Sequence, residues 1–291
     1  MKVLISTDTS CLVKKGCLDN YDISVYPLNV IINGEEFLDS VTINQEELKD
    51  AMRSGKEIKT STPPLGEIIE YFEKLFAKGY DHIIHFTISS KLSSMNSLFE
   101  TVANDNFKGK LTVIDSYGIS TRMINYVFYA YEQVAKGTSP DDIKAYIDSI
   151  KNDGEIVFVP ENLTALKNGG RISPTIALVG NLIGIKPVLC FDEGALAKKE
   201  MIRNVKKFFV EKIQEFSKTY TIDKYDYTVM NFDGDERVLE YITNHAKEIF
   251  PNYNIVEGFL PINVCAHCGP GTLGVIITPK ITDKPINEYL K

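Results

Sequence analysis

The stretch DHIIHFTISSKLSSM, from Asp81 to Met95, carries the decisive pattern. Asp81 to Ile88 is apolar and β-branched enough to be a buried strand, Ser89 to Ser94 is a run of hydroxyls around Lys91, and a helix begins near Met95. Strand, polar loop and helix in that order form one unit of a parallel sheet covered by helices.

Outward from this unit the pattern repeats. Lys2 to Thr7 reads as a strand, Ile23 to Ile32 as another turned at Asn33-Gly34, and Leu111 to Asp115 as a further one. Thr42-x-x-Gln45 resembles a capping box for a helix ending near Gly55, and Ile68, Ile69, Phe72, Leu75 and Phe76 recur at helical spacing. Met123 to Val134 and the segment opened by Ser139-Pro140 complete the helices of the first half.

Beyond Asn152-Asp153-Gly154 the character changes. Ile156 to Val159 is a strand, followed after Pro160 by a helix ending at Gly169-Gly170. Lys186 to Phe191 and Ala195 to Met201 form an antiparallel hairpin about Asp192-Glu193-Gly194. Helices at Asn204 to Lys218 and Glu236 to Phe250 alternate with strands at Tyr227 to Phe232, Ile255 to Leu260 and Gly274 to Thr278. The expected architecture is α/β with two α/β domains, residues 1–153 around a mostly parallel sheet and residues 154–291 around a mixed one.

Composition bounds the function. The chain has 291 residues, 44% hydrophobic and 24% charged, with 32 Lys+Arg against 39 Asp+Glu. This is globular composition with an acidic balance, which argues against a nucleic-acid partner. From Gly258 to Pro279 there is no Asp, Glu, Lys or Arg, but three prolines and four glycines forbid a membrane helix there. The start, MKVLISTDTS, has no long apolar region, so a cytoplasmic protein without stable membrane insertion is expected. Five cysteines in a chain of this size read as reduced thiols.

Four segments could carry chemistry. The loop Ser89 to Ser94, opening a helix at the carboxyl end of a strand, is a candidate anion site or merely a helix cap. Lys59-Thr60-Ser61-Thr62-Pro63-Pro64 precedes a helix in the same way, and the two loops would converge at one sheet edge. Cys265-Ala266-His267-Cys268-Gly269-Pro270-Gly271 contains a CxxC with no second cysteine pair to complete a zinc site, and its glycines and proline deny a thioredoxin-like strand-to-helix context. His267 can present one N–H to a ligand or be a core histidine. Lys167 to Ser173 places Arg171 after a helix end, where it can meet an anion or a partner. The signatures GxGxxG, GxxxxGK[ST], HExxH and GxSxG are absent from the sequence.

Together these segments resemble the DegV family of bacterial fatty-acid-binding proteins. Thr7-Asp8-Thr9-Ser10, Thr60-Ser61-Thr62-Pro63, Ser90-Lys91-Leu92-Ser93, Gly169-Gly170-Arg171-Ile172-Ser173, Ile185-Lys186-Pro187-Val188-Leu189 and Ala266-His267-Cys268-Gly269-Pro270-Gly271 match its blocks in order. The resemblance implies one long-chain fatty acid, such as palmitate, in a tunnel between the two domains. Its carboxylate would be held by Thr60, Ser93 and His267, with Ser61 and Ser94 in the same hydroxyl loops. It further implies a non-catalytic carrier without a cofactor, which presents the acid to a separate fatty acid kinase for acyl-phosphate formation in phospholipid synthesis, with Arg171 at the kinase-facing mouth. Where the family has LSGTY, this chain reads Leu92-Ser93-Ser94-Met95-Asn96, a change that bears on tunnel width.

Burying about fifteen methylenes at about 0.8 kcal/mol each gives on the order of 12 kcal/mol of gross driving force, so the tunnel supplies affinity and the polar residues set orientation. Two other readings stand beside this one. Ser93 with His267 as base would make an acyl hydrolase or acyltransferase. Cys265 and Cys268 would make a redox module.

Overall fold

The computed structural model describes residues 1–14, 16–161, 163–172, 184–251, 253 and 255–290. Ser173 lies outside them. In the first half β1 (Val3–Asp8), β2 (Ile23–Tyr26), β3 (Asn29–Ile32), β4 (Glu35–Leu38), β5 (Ile58–Ser61), β6 (His82–Thr87) and β7 (Leu111–Asp115) alternate with α1 (Gln45–Arg53), α2 (Leu65–Phe76), α3 (Met95–Asn106), α4 (Ser120–Ala135) and α5 (Pro140–Ile150). A four-stranded parallel sheet has the order β2-β1-β6-β7. All six residues of β6 (HIIHFT) are buried, as in a strand covered on both faces, and its two histidines meet Thr112 Oγ1 and Ser6 Oγ, each at 2.9 Å.

The expected strand Ile23 to Ile32 is in fact two strands in different sheets. Pro27 cannot donate to a ladder, and the N–H of Leu28 goes to Thr9 Oγ1 at 3.2 Å, so the chain leaves the parallel sheet there. It continues as β3, which pairs antiparallel with β4 across Asn33-Gly34, both at positive φ, and with β5 on its other side. Thr60 and Ser61 therefore stand on a strand, not in the expected loop. The helix start also differs. Asn44 Oδ1 accepts from Glu47 N at 3.0 Å and Glu47 Oε2 accepts from Asn44 N at 2.8 Å, forming the capping box two residues after Thr42.

The second half contains β8 (Glu155–Val159), β9 (Lys186–Asp192), β10 (Ala195–Ile202), β11 (Tyr225–Phe232), β12 (Val256–Phe259) and β13 (Thr272–Pro279). Its helices are α6 (Thr164–Asn168), α7 (Val205–Thr219), α8 (Glu236–Ile249), α9 (Ile262–Cys268) and α10 (Ile286–Tyr289). The sheet order is β10-β9-β8-β13-β11-β12, antiparallel except for β11 with β12, so the mixed sheet is as expected. The CxxC segment departs from expectation, because it is helical. Pro261 caps α9 at its start and Gly269, at φ 80°, ends it.

One core packs Phe72 and Phe99 of the first half with Met230, Leu260 and Ile276 of the second. On the opposite face of the parallel sheet, Ile84 and Phe86 meet Met123 and Val127 of α4, joined by Ile286 from near the end of the chain. Among the described residues no helix is long and apolar enough to cross a membrane.

Candidate functional site

Where the two halves face each other lies a cavity of about 870 Å³ of space, its open mouth included. Its walls are mainly apolar: Leu28, Ile88, Met95 and Ile119 come from the first half, and Phe158 and Met230 are among those from the second. Leu260, Val264 and Ile276, from the stretch without charges, also line it. Thr60, Ser61, Ser93, Arg171 and His267 are its main polar and charged residues, with Asn29 and Asn263 beside them.

His267 sits in the last turn of α9, on the face shared with Asn263 four residues earlier. Its Nε2 lies 3.0 Å from Thr60 Oγ1 on β5, a contact that ties the two halves together. Burial, reinforced by the positive charge of Arg171, pulls the imidazole pKa down to about 4, so the ring is neutral at pH 7 and carries one N–H. Gly169 is the backing of the ring: a Cβ there would stand 3.0 Å from His267 Nδ1.

The hydroxyl loop after β6 is held from several sides. Asp8 Oδ2 accepts from Ile88 N at 2.8 Å, Asp115 Oδ1 accepts from Ser90 N at 3.1 Å, and Ser89 Oγ donates to Gly194 O at 2.7 Å. The N–H groups of Lys91, Leu92, Ser93 and Met95 are likewise engaged, by Ser89 Oγ, Ser89 O, Ser89 O and Ser93 Oγ. These four donors are engaged within the loop, and Ser93 lines the cavity. Ser94 is exposed and stands outside the lining, and Ser61 Oγ lies 3.4 Å from Glu36 Oε1.

Arg171 is half-buried. Its Nε donates to Leu92 O at 3.1 Å and its Nη1 to Gly169 O, so the guanidinium joins the end of α6 to the serine loop. It also borders an outer depression with Lys56, Lys59, Thr164 and Asn168, which meets the cavity at Thr60 and His267. A positive charge and three donors at one end of an apolar cavity can receive a carboxylate whose tail lies along the apolar walls.

The competing chemistries find less. Among the described residues no Asp or Glu side chain hydrogen-bonds His267, and the histidine's partner is Thr60, not Ser93. Cys265 and Cys268 are buried free thiols; burial pushes Cys268 up to about 12 and Cys265 well above its ordinary value, so neither is a ready thiolate. Sequence reasoning missed Asp39 and Asn263. Asp39, wholly buried, accepts from Asn263 N at 3.0 Å and so serves α9 as an acceptor at its start from across the molecule. No local signal marks such a pair, which lies far apart in sequence.

Comparison with known proteins bears on the family and the fold. A DegV domain-containing protein of Staphylococcus aureus strain MRSA252 is 30% identical over 291 residues, covering 96% of this chain and 99% of its own. A structure described as a fatty acid binding DegV family protein from Streptococcus agalactiae superposes with a TM-score of 0.85 at 25% identity, covering 96% of this chain and 99% of that one. A stearic acid-binding protein from Eubacterium ventriosum shares the fold at a TM-score of 0.81 and 21% identity, over 95% of this chain and 98% of that one. The profile described as "Uncharacterised protein, DegV family" matches residues 2–280, and the chain therefore belongs to the DegV family.

Proposed function

We propose that this protein binds one long-chain fatty acid in the cavity between residues 1–153 and 154–291, its carboxylate at Thr60, Ser93 and His267. The observation that carries the reading is an apolar cavity whose polar residues gather around one neutral, buried histidine. The Streptococcus agalactiae neighbour, described as fatty acid binding, supports the same ligand class. The protein then acts as a carrier. It presents the carboxylate to a separate fatty acid kinase, which forms the acyl-phosphate used in phospholipid synthesis, and Arg171 with the depression beside it is the mouth that meets the kinase.

Two measurements test this. Native mass spectrometry of the purified protein, before and after addition of palmitate or oleate, should show one bound acid per chain; no bound acid in either state sinks the proposal. With a fatty acid kinase and ATP, the loaded protein should support acyl-phosphate formation, and Arg171→Gln should suppress it even in protein that native mass spectrometry shows to be loaded with palmitate.

A further inference from the structure

The cavity holds one acceptor for which the reading above has no use. Asn263 is 95% buried on α9, lines the cavity, and its Oδ1 has no hydrogen-bond partner. On the side of the wall, Asn263 Nδ2 donates to Ser10 Oγ at 2.8 Å. The backbone N–H of Asn263 is taken by Asp39 at 3.0 Å. The backbone N–H and one N–H of the side-chain amide are thus committed to the wall behind, and the carbonyl oxygen has no partner.

Asn263 lies one turn before His267, about 6 Å along the helix axis, on the same face. Helix α9 packs against β3 and β5, where Asn29 stands opposite Ser61 in the strand register and lines the same wall. A plain hydrocarbon tail passing this point leaves the acceptor unpaired in an apolar surround, which is unfavourable by about 1 to 3 kcal/mol. A ligand hydroxyl close to the carboxyl end would donate to it.

Resting on the fatty-acid reading, we propose that Asn263 makes this cavity selective for acyl chains bearing a hydroxyl near the carboxylate. The ligand class is that of hydroxy fatty acids, with Asn29 as the second amide of the polar wall.

The test compares hexadecanoate with 3-hydroxy- and 5-hydroxyhexadecanoate by calorimetry on delipidated protein. The expected result is that at least one hydroxy acid binds about fivefold or more tighter than hexadecanoate, the size of one additional hydrogen bond. In Asn263→Leu that advantage should vanish, the ratio of hydroxy-acid to hexadecanoate affinity falling to about one. Equal or weaker binding of both hydroxy acids to the unmodified protein overturns the proposal without any variant, and leaves the fatty-acid reading standing. An advantage that survives in Asn263→Leu overturns it as well. Binding of none of the three acids overturns both readings.

Discussion

At the scale of single residues, the polar end of the cavity is a small set of neutral donors under one positive charge. Replacing Thr60 or Ser93 by Ala removes one hydrogen bond to a charged group, about 1.5 to 3 kcal/mol, so palmitate affinity should drop about tenfold or more in each variant with little change in melting temperature. Unchanged affinity in both would refute the site assignment. His267 gives a second prediction. Its pKa lies near 4 in the ligand-free protein, well below the ordinary value of about 6.5, so its ring should not titrate between pH 8 and 5. Nitrogen-15 NMR of the imidazole can follow this, and a midpoint near 6.5 would mean the ring is in water. Thr60, Ser93 and His267 were legible in the sequence because each sits in a short block of distinctive composition. Asp39 and Asn263 were not, because what gives them meaning is their contact, across 224 positions of chain.

At the scale of elements, the sequence was most readable where one local rule acted alone. β7 and the hairpin β9–β10 have the expected identities because β-branched runs and turn residues had no competitor. Helix α9 went unread because Gly269, Pro270 and Gly271 follow it at once, and only Pro261 marks its start. The three-stranded sheet was hidden in a similar way, its strands being four residues each and β5 running into Pro63-Pro64. The β9–β10 hairpin carries a testable contact. Gly194 at its tip has φ 80°, and a Cβ there would come within 2.6 Å of Ser89 Oγ. Gly194→Ala should therefore destabilise the protein by about 1 to 3 kcal/mol in denaturant titrations, and should weaken palmitate binding too, since Phe191 and Leu196 of the hairpin line the cavity. A fully stable variant with normal binding would show that the hairpin does not brace the serine loop.

At the scale of the whole molecule, four buried titrating groups oppose one another. Burial raises Asp8 and Asp39 to about 6, above an unfolded value near 3.9, so each adds stability as pH falls through 6 toward 4. His85 and His267, held down to about 3 and 4 by burial, act the other way: the unfolded chain takes up their protons below about 6.5 and the folded chain does not, so stability is lost as pH falls. From pH 7 to 5 these contributions should cancel to within about 2 kcal/mol. His85→Leu removes one destabilising partner from the parallel-sheet core, where its Nε2 has no hydrogen bond. That variant should gain about 2 kcal/mol on going from pH 7 to 5 relative to the parent; urea titrations at the two pH values would reveal its absence. The fold class was legible at this scale from alternation alone. The packing of Ile286 against α4 was not, because four residues of helix at the end of a chain carry no address.

The contact between Thr60 and His267 has a kinetic meaning. The two groups that a carboxylate would use are engaged with each other, so loading is an exchange of partners and not the filling of waiting donors. A clasp of this kind stabilises the empty protein, so it slows arrival and lowers affinity while departure begins from a state in which it is already open. Thr60→Val, which opens the clasp on one side, should make uptake of palmitate faster even as it makes the hold weaker.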